Sequence, residues 1–353
     1  MKIKGSSYTY GIRAIMTIIV LMFSIHAAAQ ENTGGKLKKI VQGTVDFIGY
    51  VLNDVDTTYI EKNRYNMTFK PEYSYSYEHY SFGTTGNGGQ SIGIVPDGRN
   101  VMSLNIGWRW LIVGYSFDLQ ENRPLQEFNT SLYSTRFALD LFYRKGSEGY
   151  RINRLEGFSA GDGLLNENRD CDGLTTVRQL GVGLCYAFNK RFSYSAALGQ
   201  STIQRASAGS FILGAGYNWQ KFSFNQERLS PTLQAELVDE LKFKEVRMND
   251  FSISLGYGYN WVFSKNFLAG ISFEPAVSYK KARLEYTDNS SLQAGMNMDF
   301  MTRAALVYNN NRYYAGASLE SHTYCFNKGD LYIRDGFGVL EAYIGFYFWK
   351  RKQ

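Results

Sequence analysis

Three cysteines, five prolines and three histidines are spread over 353 residues, and each scarcity removes a class of protein. Cys171, Cys185 and Cys325 are too few for the disulfide framework of a secreted mini-domain, and they form no paired-cysteine metal motif. One bridge stays open, between Cys171 and Cys325 in or near expected external loops, whereas Cys185 falls inside a strand pattern as a small buried residue. Beyond residue 29 the histidines are only His79 and His322. Ser81, Ser318 and Ser321 lie near them, but no nucleophile elbow or Asp-oriented arrangement follows, so the chain is not read as an enzyme. The net charge of +6 is scattered and makes no basic stripe, so no nucleic-acid partner is expected. Past the N-terminus no uncharged apolar run reaches the length of a membrane-spanning helix.

What the chain has in quantity is Tyr (27), Phe (24) and Gly (35), with aromatics at 16%. That mixture suits strands and turns whose rings face something apolar. At the start, Lys2, Lys4 and Arg13 precede the apolar run Ala14 to Ile25, and Ala27-Ala28-Ala29 follow. This order matches a secretory signal cut after Ala29. The alternative, a transmembrane anchor, is disfavoured because roughly 12 apolar residues cannot cross about 30 Å of hydrocarbon.

Period-two alternation runs along almost the whole remaining chain and places successive side chains on opposite faces of a strand. Phe251, Ile253, Leu255, Tyr257, Tyr259 and Trp261 alternate with Ser252, Ser254, Gly256, Gly258 and Asn260. Leu180, Val182, Leu184, Tyr186 and Phe188 alternate with small residues, as do Met102, Leu104, Ile106 and Trp108. Near the C-terminus, Leu340, Ala342, Ile344, Phe346 and Phe348 repeat the pattern. A soluble periplasmic sandwich would alternate too. Segments of about 10 residues or more, with aromatics gathered at their ends, favour tilted membrane strands over globular strands of about 5 to 6.

The expected fold is therefore all-β, a transmembrane antiparallel up-and-down β-barrel of about 14 strands, with about 12 as the alternative. Strands are placed near 66–80, 101–108, 111–119, 125–133, 137–150, 176–188, 191–200, 210–219, 221–226, 251–263, 267–285, 292–308, 312–324 and 338–349. Short periplasmic turns are expected at Trp108–Trp110, Ser134–Arg136, Asn189–Arg191, Trp219–Lys221, Ser264–Asn266 and Asn309–Asn311. Long external loops are expected at Ser81–Asn100, Arg151–Thr175, Glu227–Asp250 and Phe326–Gly336. The pieces at 125–133 and 221–226 are the weakest, and their loss gives the lower count. Residues 1–29 are then signal, 30–65 a periplasmic segment, and 66–353 the barrel. Within the periplasmic segment Ile40, Val41, Thr44, Val45, Ile48, Val51 and Leu52 follow helical spacing behind Lys36, Lys38 and Lys39. That short amphipathic helix would cover the lower rim, plug the barrel or lie on the inner leaflet.

Asp56-Thr57-Thr58-Tyr59-Ile60, Asn100-Val101 and the strand from Leu111 to Phe117 resemble the domain of unknown function 4421 family, from about Asp56 to the C-terminus. The resemblance implies an exported barrel in the outer membrane of a Gram-negative bacterium. It implies no ligand, reaction or catalytic residue.

Strand parity puts Lys70, Glu72, Asp118, Asp140, Arg144, Glu274, Lys280, Asp299, Arg303, Glu320 and Glu341 on the face opposite the apolar set. Charges at membrane depth need water or a partner charge, so this face is expected to line the lumen. Two functions follow: a narrow passage for small polar solutes, or a non-conducting structural, docking or surface-assembly barrel closed by paired charges. No single-sign ring is seen. Asn168, Asp170, Asp172 and Gly173 open like a calcium loop, but the position of its bidentate Glu holds Gln179, so no metal is expected. No cofactor is expected, and the partners are outer-membrane lipid and the barrel-assembly machinery.

Overall fold

The computed structural model describes residues 55–351 apart from 87–88, 109–110, 120–125, 147–149, 160 and 169–172. The expected signal and amphipathic helix lie outside the described residues, as do Asp170, Cys171 and Asp172, and with Cys171 the expected bridge to Cys325. The strands in chain order are β1 (Ile60–Lys62), β2 (Tyr65–Thr84), β3 (Ser91–Pro96), β4 (Arg99–Trp108), β5 (Leu111–Asp118), β6 (Gln126–Tyr133), β7 (Phe137–Gly146) and β8 (Tyr150–Glu156). Then come β9 (Thr175–Ala187), β10 (Thr202–Gln204), β11 (Ala208–Phe224), β12 (Glu245–Ser264), β13 (Phe267–Glu285), β14 (Ser290–Asn309), β15 (Tyr313–Lys328) and β16 (Leu331–Lys350). Two short α-helices, α1 (Gly161–Glu167) and α2 (Pro231–Glu236), and a π-helical turn at Ser195–Gly199 interrupt them.

All but β1 and β10 join one 14-stranded antiparallel sheet, ordered β5-β4-β2-β16-β15-β14-β13-β12-β11-β9-β7-β6, with β3 and β8 as a side pair against β2. Neighbours along that path follow one another up and down, so the sheet curls into a barrel wall. The two ends of the path, β5 and β6, are consecutive in the chain. The C-terminal strand closes onto the first long one, with Lys350 opposite Tyr65 and Leu331 opposite Thr84.

Alternation dictates which face looks out. Ile253 and Leu255 are 66% and 61% exposed, while the intervening Ser254 is 8% exposed. Met102, Leu104, Ile106, Leu180, Val182, Leu184, Leu340 and Ile344 are likewise exposed, making an apolar belt around the wall. A solvated surface of this kind would be costly, and lipid is the medium that suits it.

Several strands, β12, β14 and β16 among them, run 20 residues, about twice what a tilted crossing needs. The excess lies at the end of the long connections, where the upper barrel encloses an apolar core. Phe82, Phe222, Phe224 and Phe243 interlock there, with ring centroids 4.9 Å apart for Phe82 and Phe224 and 5.3 Å for Phe82 and Phe243. Leu229, Leu233, Leu237 and Leu241, on and around α2, close it from above. Each such buried side chain contributes roughly 1.5–3 kcal/mol. Gln90 clasps this cover to the wall, donating to the Glu236 carbonyl at 2.6 Å and accepting from the Val238 amide at 2.9 Å.

Three features depart from the sequence reading. Residues 191–200 form no strand: Phe192, Ser193, Tyr194, Ser195 and Ala196 are all buried, because the segment folds inward and β9 pairs directly with β11. The expected turn at 189–191 is present, with the Phe192 amide donating to the Asn189 carbonyl at 3.1 Å, but it leads into the barrel and not into a strand, and the turn expected at 219–221 is absent. Trp219, Gln220 and Lys221 continue the β11 ladder, opposite Leu180, Gln179 and Arg178, so 210–219 and 221–226 are one strand. The loops expected at 81–100 and 151–175 include β3 and most of β8, which pair with each other above the wall, and those expected at 227–250 and 326–336 are cut short by β12 from Glu245 and by β15 and β16, which leave only Gly329 and Asp330 between them. The sheet of 14 strands thus has a different membership from the one expected. The turns at Ser264–Asn266 and Asn309–Asn311 are present, with Asn266 and Asn311 at φ 70° and 71°, a left-handed backbone that Asn tolerates.

Candidate functional site, a charged barrel interior

A barrel of eight strands is just filled by its own side chains, and one of 16 to 18 leaves a channel, so the wall here, at an intermediate size, needs filling. Four groups of charges do so. Arg303, 1% exposed, bonds the buried carboxylates of Glu274, at 2.7 Å, and Asp140. Lys280 Nζ lies 2.7 Å from Asp250 and 2.8 Å from Asp299. Arg144 lies 3.0 Å from Glu78 and stacks on the Phe337 ring with its guanidinium carbon 3.7 Å from the centroid. Lys70 pairs with Glu72 nearer the end of the tight turns.

Carboxylates outside these pairs meet amides and hydroxyls. Gln179 and Gln220 both donate to Asp335, at 3.0 and 2.9 Å. Ser318 donates to Glu341 at 2.8 Å. Tyr133 donates to Glu320 at 2.9 Å, and the His322 ring nitrogen lies 2.8 Å from the other Glu320 oxygen. Unpaired charge in such a setting costs several kcal/mol, so mutual pairing is what permits these residues to be there.

Ten of the eleven sequence-derived lumen residues take part in this interior. Asp118 stands apart at the end of β5, exposed and bonded to Arg99 at 2.7 Å. Sequence reasoning missed Glu78, Asp250, Asp335 and His322. Glu78 shares the parity of Lys70 and Glu72, a signal that was available. Asp250 and Asp335 fell in segments read as loops, and their burial follows from strands that continue past the membrane.

Where the wall is lined by Gly183, Gly216, Ser252, Ser254 and Ala276, a cavity of about 50 Å³ remains beside Asp140, Glu274, Asp299 and His322. It has room for on the order of three water molecules. Cys185 is buried at its edge, as the strand pattern implied.

Below the charges the inward segment fills the mouth of the barrel at the end of the tight turns. Ser193 and Ser195 each share a 2.8 Å hydrogen bond with Thr202. Asn260 donates to the Ser193 carbonyl at 2.9 Å, Gln200 donates to the Tyr343 hydroxyl at 2.6 Å, and Tyr347 donates to the Gln200 carbonyl at 2.6 Å. Asp56-Thr57-Thr58-Tyr59-Ile60 anchors this plug from outside. Asp56 accepts from the Thr58 amide and hydroxyl, at 3.1 and 2.6 Å, and from Arg191 at 3.0 Å. Those hydrogen bonds, the Thr58 ones first, hold the Asp56 carboxyl below its ordinary range. Ile60, 1% exposed, then begins β1, which pairs with β10 on the plug.

The calcium-like segment is structural where it is described. Asn168 is fully buried, with its side chain donating to the Leu164 carbonyl at 2.8 Å and to Ser230 at 2.9 Å. Gln179 points into the interior, at Asp335.

A family model described as "Domain of unknown function (DUF4421)" matches residues 54–348. No curated protein matches the chain. Among solved structures, the outer membrane protease OmpT from Escherichia coli is similar at 7% identity, over 83% of this chain and 100% of that one, with a TM-score of 0.38. Ail, the attachment invasion locus protein of Yersinia pestis, is similar at 9% identity, over 78% and 97%, with a TM-score of 0.24. Likenesses this faint extend no function to this chain.

Proposed function

The chain belongs to the DUF4421 family, and from its geometry we propose that it is a non-conducting barrel of the outer membrane, a rigid structural or docking element presented at the cell surface. One observation carries this: the interior has an apolar core at its external end, paired charges in the middle and a hydrogen-bonded plug at the periplasmic end. A passage for polar solutes needs a continuous wetted path, and a cavity of about 50 Å³ is far smaller than a small solute's route would be. The barrel-assembly machinery would insert it, and lipid would cover the apolar belt. The reading includes no catalysis: His322 is engaged with Glu320, Ser318 with Glu341, and Ser321 accepts from Tyr77 at 3.1 Å.

Cell fractionation places the reading at risk first, because recovery with the inner membrane would end it. Purified protein in planar bilayers then separates the two functions. The expected trace is silent, and reproducible discrete conductance steps from the intact chain would establish the passage instead.

A further inference from the structure

On the outer face of the wall, immediately beyond the apolar belt on the external side, five basic residues stand in one register row across five adjacent strands. Lys145 of β7 is opposite Arg178 of β9, Arg178 opposite Lys221 of β11, Lys221 opposite Arg247 of β12, and Arg247 opposite Arg283 of β13. Parity aims them outward. One step toward the membrane on the same face come Tyr143, Leu180, Trp219, Asn249 and Lys281, and one step further Leu141, Val182, Tyr217, Phe251 and Tyr279. The order is therefore apolar, then mixed and aromatic, then basic.

Like charges directly opposite one another on neighbouring strands repel. Two carboxylates soften the row at one end: Glu245 pairs with Lys221 and Arg247, and Glu285 lies 3.9 Å from Arg247 and 3.7 Å from Arg283. Lys145, Arg178 and Lys281 have no anionic partner among the described residues. On the next walls the outward positions at that end are Thr323, Cys325, Asn327, Tyr77 and Ser81 with a single base, Arg334 of β16, so the unbroken run of adjacent bases belongs to one side of the barrel.

We propose that this row binds the phosphate groups of an anionic lipid in the external leaflet. The inference rests on the membrane-barrel reading above and adds a specific lipid chemistry to it. The row lies where the headgroups of lipids coating the belt would lie, and five strands spaced about 4.8 Å apart span roughly 19 Å, room for more than one phosphate. Acyl chains would cover Val182, Tyr217 and Phe251 while Lys145, Arg178 and Lys281 take phosphate oxygens through charge-assisted hydrogen bonds.

The test inserts the full chain into phosphatidylcholine vesicles and into the same vesicles doped with diphosphoryl lipid A, then counts lipid A retained per barrel by native mass spectrometry. The variant Lys145→Gln/Arg178→Gln/Lys281→Gln removes only bases that have no carboxylate partner among the described residues, so it leaves none of those carboxylates orphaned. It should retain roughly tenfold less lipid A than wild type. An unchanged urea midpoint for the variant, and recovery of binding in Lys145→Arg/Arg178→Lys/Lys281→Arg, would tie the loss to charge at the surface. Equal retention by wild type and the Gln variant would overturn the proposal, as would equal retention of dephosphorylated lipid A. Displacement of the lipid by low concentrations of inorganic phosphate would assign the row to free phosphate and overturn the lipid. A chain that inserts but shows no lipid preference defeats this inference alone, whereas one that inserts into neither vesicle defeats the barrel reading as well.

Discussion

The outer and inner faces of the same strands obey opposite rules. Outward residues such as Ile253, Leu255 and Ile271 need only an apolar surrounding, and any apolar neighbour serves. Inward residues such as Arg303, Lys280 and Arg144 need particular partners, some of them brought from strands far apart in the chain: Arg303 of β14 meets Asp140 of β7 as well as Glu274 of the neighbouring β13. One face is specified by composition, the other by pairing, and substitutions should therefore fail for different reasons on the two faces.

The largest effect is expected inside. Arg303→Leu leaves Asp140 and Glu274 buried without their shared cation and should cost about 3–5 kcal/mol in urea unfolding in lipid vesicles. A loss below about 1 kcal/mol, the value of an exposed pair, would mean that water already screens the group.

That asymmetry also explains how much could be read from the sequence. Parity identified the outward set and ten of the inward charges, because alternation is local and survives without any knowledge of partners. The salt bridges were not legible, since Arg303 and Asp140 are joined only by barrel closure. The inward segment was misread for a related reason: Phe192, Tyr194, Ala196 and Leu198 alternate with Ser193, Ser195, Ala197 and Gly199 as a strand would. Burial on every side removes the distinction that alternation encodes. At Trp219-Gln220-Lys221 the polar step that resembled a turn is where the outer face passes from the aromatic edge of the belt to the basic row.

On the outer face, Leu255→Arg should cost about 2–4 kcal/mol, since the residue is 61% exposed in the belt and would carry a charge into hydrocarbon. Unchanged stability in lipid would contradict the belt. Its inward neighbour gives a sharper contrast. Ser254→Arg adds a side chain that overfills the cavity of about 50 Å³ lined by Ser252 and Ala276, and about 1–3 kcal/mol is expected from overpacking. A harmless Ser254→Arg that raises bilayer conductance would point to an open lumen.

The smallest effect should come from the rim, where Arg99 and Asp118 pair in partial contact with solvent. Arg99→Ala is expected to shift stability by about 0.2–1 kcal/mol and to lose that effect at high salt. A shift as large as that of Arg303→Leu would erase the distinction between rim and interior.

Whether the interior is packed or wet is decided by replacing the whole Arg303 group, comparing urea unfolding in lipid of Arg303→Leu with that of Asp140→Leu/Glu274→Met/Arg303→Leu. In a closed interior the triple variant should be more stable than the single one, because buried charges removed together leave none unpaired and apolar side chains of similar volume fill their place. An aqueous lumen predicts the reverse: the single change would be mild, and the triple variant, exposing three apolar side chains to water, would be no better than the single one.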